Sequence, residues 1–160
     1  MSNRDAFLKM IGLSELGQGL IDASDEGYDV LVGSTATHPI IFNSYDTHPN
    51  ILNHKFDSTA AGLYQIIHPT FVSLCKMNGY SRFDKRTQDA MAIDLIAGKD
   101  ALAEVDMGEF ANAVKKCSSV WASLPGGDSG QHENRLALLS KYFTDAGGVI
   151  LGVDNDNPSA

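Results

Sequence analysis

The chain has 160 residues, 43% of them hydrophobic and 20% charged, which suits one ordinary globular domain with a single buried core and argues against a repeat array. A formal charge of −8 argues against nucleic-acid binding and gives no electrostatic help in approaching an anionic polymer, so such a substrate would have to be held by a groove. There is no apolar run long enough to span a bilayer, and the opening Arg4-Asp5-Ala6-Phe7-Leu8-Lys9 lacks the apolar core of a signal peptide, so the chain is expected to begin in a cytoplasm.

Ser2-Asn3-Arg4-Asp5 offers a capping-box-like start, and Phe7, Leu8, Ile11 and Glu15 follow at helical spacing until Gly17 stops the pattern. From 19 to 57, Gly, Asp, Asn and Pro punctuate two short β-type runs, 28–32 and 40–42, which read as a small antiparallel sheet with long loops. After Ser58 the pattern is helical again. Pro69 suits a first helical position, and Phe71, Val72, Leu74 and Cys75 form an apolar face before Asn78-Gly79.

Further helices are expected at 85–97, 108–117 and 134–146, the last closed by Gly147-Gly148. Residues 1–150 then form a single domain, and 151–160 a loose, polar tail. A helix, a small sheet in the N-terminal third and a run of helices make an α+β order, mainly helical; the strands do not alternate with helices as a doubly wound sheet requires. Gly126-Gly127 and Gly147-Gly148 lack the spacing and the preceding strand of a phosphate-binding loop. Cys75 and Cys117 fall within expected helices, without metal-ligand spacing to each other or to the histidines, and read as buried free thiols.

Glu15 follows Ile11 by four residues and Leu8 by seven, so on a continuous helix it shares their apolar stripe. Desolvation, and the negative end of the helix dipole, would both favour its protonated form. A carboxyl that keeps its proton near neutral pH is what glycosidic cleavage asks of a general acid. The other reading is that the helix frays before Glu15 and the side chain faces water; periodicity leaves both open.

Four segments carry a resemblance. They are Gly27-Tyr28-Asp29-Val30-Leu31-Val32-Gly33, Thr47-His48-Pro49, Ser58-Thr59-Ala60-Ala61-Gly62-Leu63-Tyr64-Gln65 and Cys117-Ser118-Ser119-Val120-Trp121-Ala122-Ser123-Leu124-Pro125-Gly126. In that order they resemble the lambda-type phage endolysin family, the lambda lysozymes or lytic transglycosylases, from Ala6-Phe7-Leu8 to Ala146-Gly147-Gly148. The resemblance implies a lysozyme-like fold in which Ser14-Glu15 ends the first helix and Glu15 is the catalytic acid. It implies that Gly62-Leu63-Tyr64-Gln65 forms one wall of a cleft, that Asp29 lies across it, and that Ser58, Tyr64, Gln65 and Gln131 bind substrate.

On this reading Gly62 would allow close approach of backbone to sugar, and Gln65 could both donate to and accept from the substrate. Ordinary roles stand beside these: Tyr64 as core, Gln65 as surface, Asp29 as a turn residue and Trp121 as core in place of a stacking platform. Two mobile loops are implied near 48–57 and 125–132. Leu16 stands where the family has glycine, Leu63 where it has a basic residue and Ser129 where it has an aromatic; the stretch between His48 and Ser58 is shorter.

The implied reaction cuts peptidoglycan between N-acetylmuramic acid and N-acetylglucosamine. A lytic transglycosylase lets the muramic acid C6 hydroxyl attack, so one acid/base suffices, and neither metal nor cofactor is expected. A hydrolytic muramidase would need a second carboxylate, with Asp29, Glu26 or Asp25 as candidates. A non-catalytic glycan-binding or virion structural domain is the reading from another class. The implied setting is a monomer without a wall-targeting module, held in the host cytoplasm until a holin gives it access to the periplasm and its glycan strands.

Overall fold

The computed structural model describes residues 2–126 and 130–152, the side chains of residues 130–134 excepted. Seven helices occur among these residues: α1 (Asn3–Leu16), α2 (Gln18–Asp22), α3 (His68–Asn78), α4 (Lys85–Gly98), α5 (Leu102–Met107), α6 (Phe110–Cys117) and α7 (Gly130–Asp145). None of the described helices is long and apolar enough to cross a membrane. The chain divides into two compact units, one of Met1–Ser14 with Leu95–Ala160 and one of Glu15–Asp94.

In the first unit, α1 starts on a reciprocal cap: the Asp5 amide donates to Ser2 Oγ (3.1 Å) and the Ser2 amide to Asp5 Oδ2 (3.3 Å). This satisfies two of the amides that every helix leaves without partners at its start. Ala6, Phe7, Met10 and Ile11 are buried along one stripe of α1. Phe7 meets Phe110 and Phe143 edge-on at 6.1 and 6.4 Å between ring centroids.

Gly108, expected to open a helix, instead closes α5 in the left-handed conformation (φ 78°). A side chain there would strike the Val149 carbonyl, so α6 begins two residues later, at Phe110. Gly147 (φ 95°) ends α7 as expected.

In the second unit, α3 begins with a proline in its first turn and ends on Gly79 (φ 73°), whose amide donates to the Cys75 carbonyl. Phe71, Phe83 and the buried imidazole of His48 pack together, with centroids 4.9–5.6 Å apart. Cys75 is a half-buried free thiol, whereas Cys117, in the first unit, is buried and its thiol is pushed up to about 11 by desolvation.

The expected small antiparallel sheet does not form among the described residues; the fold is helical, and α2 occupies the start of the supposed β region. Four isolated antiparallel bridges stand in its place: Val30–Ile41, Leu31–Ala61, Asn53–Ser58 and Ala61–Ile66. The run 28–32 is interrupted at both ends, by left-handed Glu26 and Gly27 before it and Gly33 after it. The Tyr28 and Val30 amides are used in turns, donating to the Asp25 and Gly27 carbonyls. Ser34 Oγ then accepts from the Ile40 amide (2.9 Å) and donates to the Leu31 carbonyl (2.7 Å). A side chain thus takes the place of the next backbone rung, and the pairing stops after one bridge.

Candidate active site

Glu15 is the next-to-last residue of α1 and is half-buried. The helix continues through Leu16 and ends where Gly17 turns left-handed (φ 78°), so it does not fray ahead of the glutamate. The last turn of α1 contains no basic residue, and the negative end of its dipole is not neutralised from within the helix.

Gly62 to Gln65 form a tight turn, with the Gln65 amide donating to the Gly62 carbonyl (3.2 Å) while Ala61 and Ile66 pair in both directions across its base. Gly62 (φ 82°) and Gln65 (φ 50°) both have positive φ. A Cβ at Gly62 would collide with the side-chain amide of Gln88, coming within 2.8 Å of its Cδ. The glycine is therefore required by a buried glutamine of α4.

Gln88 is fully buried and uses both ends of its amide. Its Oε1 accepts from the Leu63 amide (3.1 Å), and its Nε2 donates to the carbonyls of Tyr28 (3.0 Å) and Phe83 (2.9 Å). Next to it, Asp89 Oδ1 accepts from Tyr28 (2.8 Å) and from Tyr64 (2.5 Å), whose rings meet edge-on. Burial first, with Asp89 adding to it, pushes the Tyr28 and Tyr64 hydroxyls far above the usual phenol range, so both remain protonated donors. Tyr64 is 2% exposed and braces the turn from within.

Gln65 is half-buried; its Nε2 donates to the Gly62 carbonyl (2.8 Å) and to the Val30 carbonyl (3.4 Å). Asp29 is buried, and its Oδ1 accepts from the Asp25 amide (2.9 Å). Since the Gly62 amide also donates to Val30, the turn at 25–29 and the turn at 62–65 lie side by side, bringing Asp29, Tyr64 and Gln65 into one neighbourhood.

Ser58 pairs its backbone with Asn53 and accepts the Ala60 amide on Oγ (3.1 Å), closing a hairpin within the first expected loop. At the head of that loop His48 is 3% exposed, its Nε2 donating to the Ile66 carbonyl (2.7 Å) and its Nδ1 accepting from the Asn50 amide (3.0 Å). Desolvation lowers its pKa, which keeps the imidazole neutral, as the accepting Nδ1 requires. The side chain of Gln131, residues 127–129 and residues 153–160 lie outside the described residues.

Leu16 and Leu63, noted separately as departures from the family pattern, meet at one point: a Cβ on Gly27 would stand 2.9 Å from Leu16 Cδ1 and 2.7 Å from Leu63 Cδ1. The residue after Glu15 and a residue of the Gly62–Gln65 turn thus pack on the same glycine. Sequence reasoning overlooked Gln88, Asp89 and Lys85. Gln88 carried a signal, since it lies in register with the buried Met91, Ala92 and Ile96 of α4 and so puts an amide on an apolar stripe.

Lys85 donates to Asp25 (2.8 Å) and Glu26 (2.9 Å), and Tyr45 donates to Asp25 (2.6 Å). The Lys85 and Tyr45 hydrogen bonds hold the Asp25 carboxyl below the usual aspartate range. Asp25 and Glu26 are thereby tied up as exposed ion pairs.

A family model described as Endolysin matches residues 5–150. The endolysin of Escherichia phage lambda is 36% identical over 154 residues, 96% of each chain, and that of Escherichia phage P2 is 34% identical over 92% of this chain and 94% of its own. Among solved structures, lysozyme from bacteriophage lambda superposes with a TM-score of 0.82 at 35% identity, covering 92% of this chain and 96% of its own. The same lysozyme complexed with a chitohexasaccharide gives 0.80 at 37% identity, with the same coverage. A match of this length, in a chain whose first helix ends with a half-buried glutamate and whose Gly-x-Tyr-Gln turn is braced from within, leaves one assignment: the chain belongs to the endolysin family of phage lysozyme-like, peptidoglycan-cleaving enzymes.

Proposed function

We propose that this endolysin cleaves the bond between N-acetylmuramic acid and N-acetylglucosamine as a lytic transglycosylase, with Glu15 as its acid and then its base. Residues 1–150 act as a single catalytic domain in this reading. The observation that carries it is the state of two of the three carboxylates that a hydrolase could use. Asp25 and Glu26 are both paired with Lys85, and an aspartate held below its usual range is a poor base for activating water. A route needing only one acid/base fits that arrangement.

Glu15 gives its proton to the bridging oxygen as the C1–O bond breaks, and positive charge develops on the muramic acid ring. The resulting carboxylate then takes the proton of the same residue's C6 hydroxyl, whose oxygen bonds to C1 and closes a 1,6-anhydro ring. Glu15 ends protonated, and no water is consumed. Because the nucleophile belongs to the substrate, its effective concentration is high.

Gln65, with Nε2 bound to backbone, can accept a substrate N–H or O–H on Oε1, and Asp29 can do the same on Oδ2. Ser58 keeps a hydroxyl proton to donate, Tyr64 fixes the turn that presents Gln65, and Gln131 is retained as a binding residue on the strength of the family pattern. The chitohexasaccharide held by the similar lambda lysozyme supports a glycan ligand. We place the enzyme as a monomer that passes from host cytoplasm to periplasm with the help of a holin.

A hydrolytic muramidase is the competing route, with buried Asp29 as the second carboxylate. Mass spectrometry of muropeptides separates the two, because an anhydro end is lighter than a hydrolysed end by one water. Anhydro products from the wild type and none from Glu15→Gln are expected; reducing ends in their place would overturn the transglycosylase route, and undiminished lysis by Glu15→Gln would remove Glu15 from the mechanism.

A further inference from the structure

Ser14, the residue before Glu15, is held by a group that the mechanism above does not use. Its carbonyl is among the last four of α1, which have no amide partner further along their own helix. Arg135 of α7 supplies a donor: Nη2 donates to the Ser14 carbonyl (3.2 Å) and to Ser14 Oγ (2.9 Å), and Nε donates to the Ser123 carbonyl (3.3 Å). Ser14 Oγ in turn donates to Ser123 Oγ (2.9 Å). One guanidinium thus fastens the end of α1, the turn at Ser123 and the early part of α7.

We propose that Arg135 is a positioning residue for Glu15: it fixes Ser14, the residue before it, in the last turn of α1. The proposal rests on reading Glu15 as the acid. A planar fork of donors can satisfy Ser14 and Ser123 together, whereas an ammonium is a point charge that cannot reproduce the full set. Bonds to an ionised donor are also stiffer than neutral ones, which suits a device that holds a geometry.

The test measures kcat and KM on soluble glycan strands for the full chain, with rates corrected for the folded fraction. Arg135→Ala is expected to lower kcat by about 10- to 100-fold, the scale of a misplaced catalytic group, with KM within about twofold of wild type. Arg135→Lys is expected to fall between the two, because it restores the charge and part of the bonding. Ser14→Ala and Ser123→Ala keep the guanidinium-to-carbonyl bonds and should lose less than Arg135→Ala.

An unchanged kcat in Arg135→Ala, a loss confined to KM, or no recovery with lysine would overturn the inference. If Arg135→Ala does not fold, Arg135→Lys decides alone: lowered kcat at constant KM supports the proposal, and wild-type values overturn it. Glu15→Gln in the same assay keeps the two readings apart. Activity retained there removes the acid, whereas activity lost there and intact in Arg135→Ala removes only the positioning role.

Discussion

The turn at 62–65 and the acidic corner at Asp25-Glu26 are both fastened by the first half of α4, but by opposite means. Gln88 and Asp89 hold the first from within, accepting from the Leu63 amide and the Tyr64 hydroxyl, and their bonds to Tyr28 carry the same buried network to the inner side of the second. Lys85 reaches the second from outside, through ion pairs to Asp25 and Glu26 whose side chains are 45% and 76% exposed. A buried polar group left without its partner keeps its full desolvation cost, whereas an exposed charge left alone returns to water. The turn bearing Tyr64 and Gln65 should therefore be rigid and intolerant of change, and the acidic corner forgiving.

Substitutions along α4 and its targets can break that contrast. The largest effect is expected from Gly62→Ala, which combines a left-handed backbone with a collision against Gln88; a loss of about 3 kcal/mol or more by urea denaturation is expected. Tolerance of that change would mean that Gln88 can move aside and the brace is loose. Gln88→Leu fills similar space but orphans the Leu63 amide and two carbonyls, and should cost about 2–4 kcal/mol in the same measurement.

Asp89→Asn keeps an acceptor for the two tyrosine hydroxyls while removing its charge, and a loss of about 1–2 kcal/mol is expected, read as a lowered Tm.

Lys85→Ala should cost under about 1 kcal/mol and less still in high salt. Its pH dependence sharpens the comparison. The folded state holds Asp25 below the ordinary value of 3.8, so the Lys85 pair contributes above that pH and its contribution fades as pH falls through the folded-state value. Wild type and Lys85→Ala should thus converge in Tm as acid protonates Asp25 in the folded state, while Gln88→Leu stays apart from both; a Lys85→Ala deficit that does not shrink in acid would show that the pair is not what holds the corner.

Local signals in the chain suffice where one or two neighbouring residues decide the outcome. Ser2 and Asp5 cap α1, Pro69 lies in the first turn of α3, and Gly147 closes α7. The β-type run at 28–32 failed for a reason equally close at hand but harder to see. Ser34 could bond outward to solvent or inward to Leu31 and Ile40, and only the folded loop selects the inward choice that ends the pairing. Gly108 shows the same limit, since a glycine can open or close a helix and the nearby Val149 carbonyl decides which.

The sequence by itself determined where most helices run and which family pattern surrounds Ser14-Glu15, because capping, periodicity and motif spacing act over a few residues. Only the tertiary structure decided that Gly62 answers to Gln88, that Tyr64 is held by Asp89, that Leu16 and Leu63 share the space over Gly27, and that Arg135 grips Ser14. These pairs are separated by tens of residues along the chain. Their energies come from excluding water around matched donors and acceptors or between apolar side chains, a condition that exists only once the distant segments have been packed together.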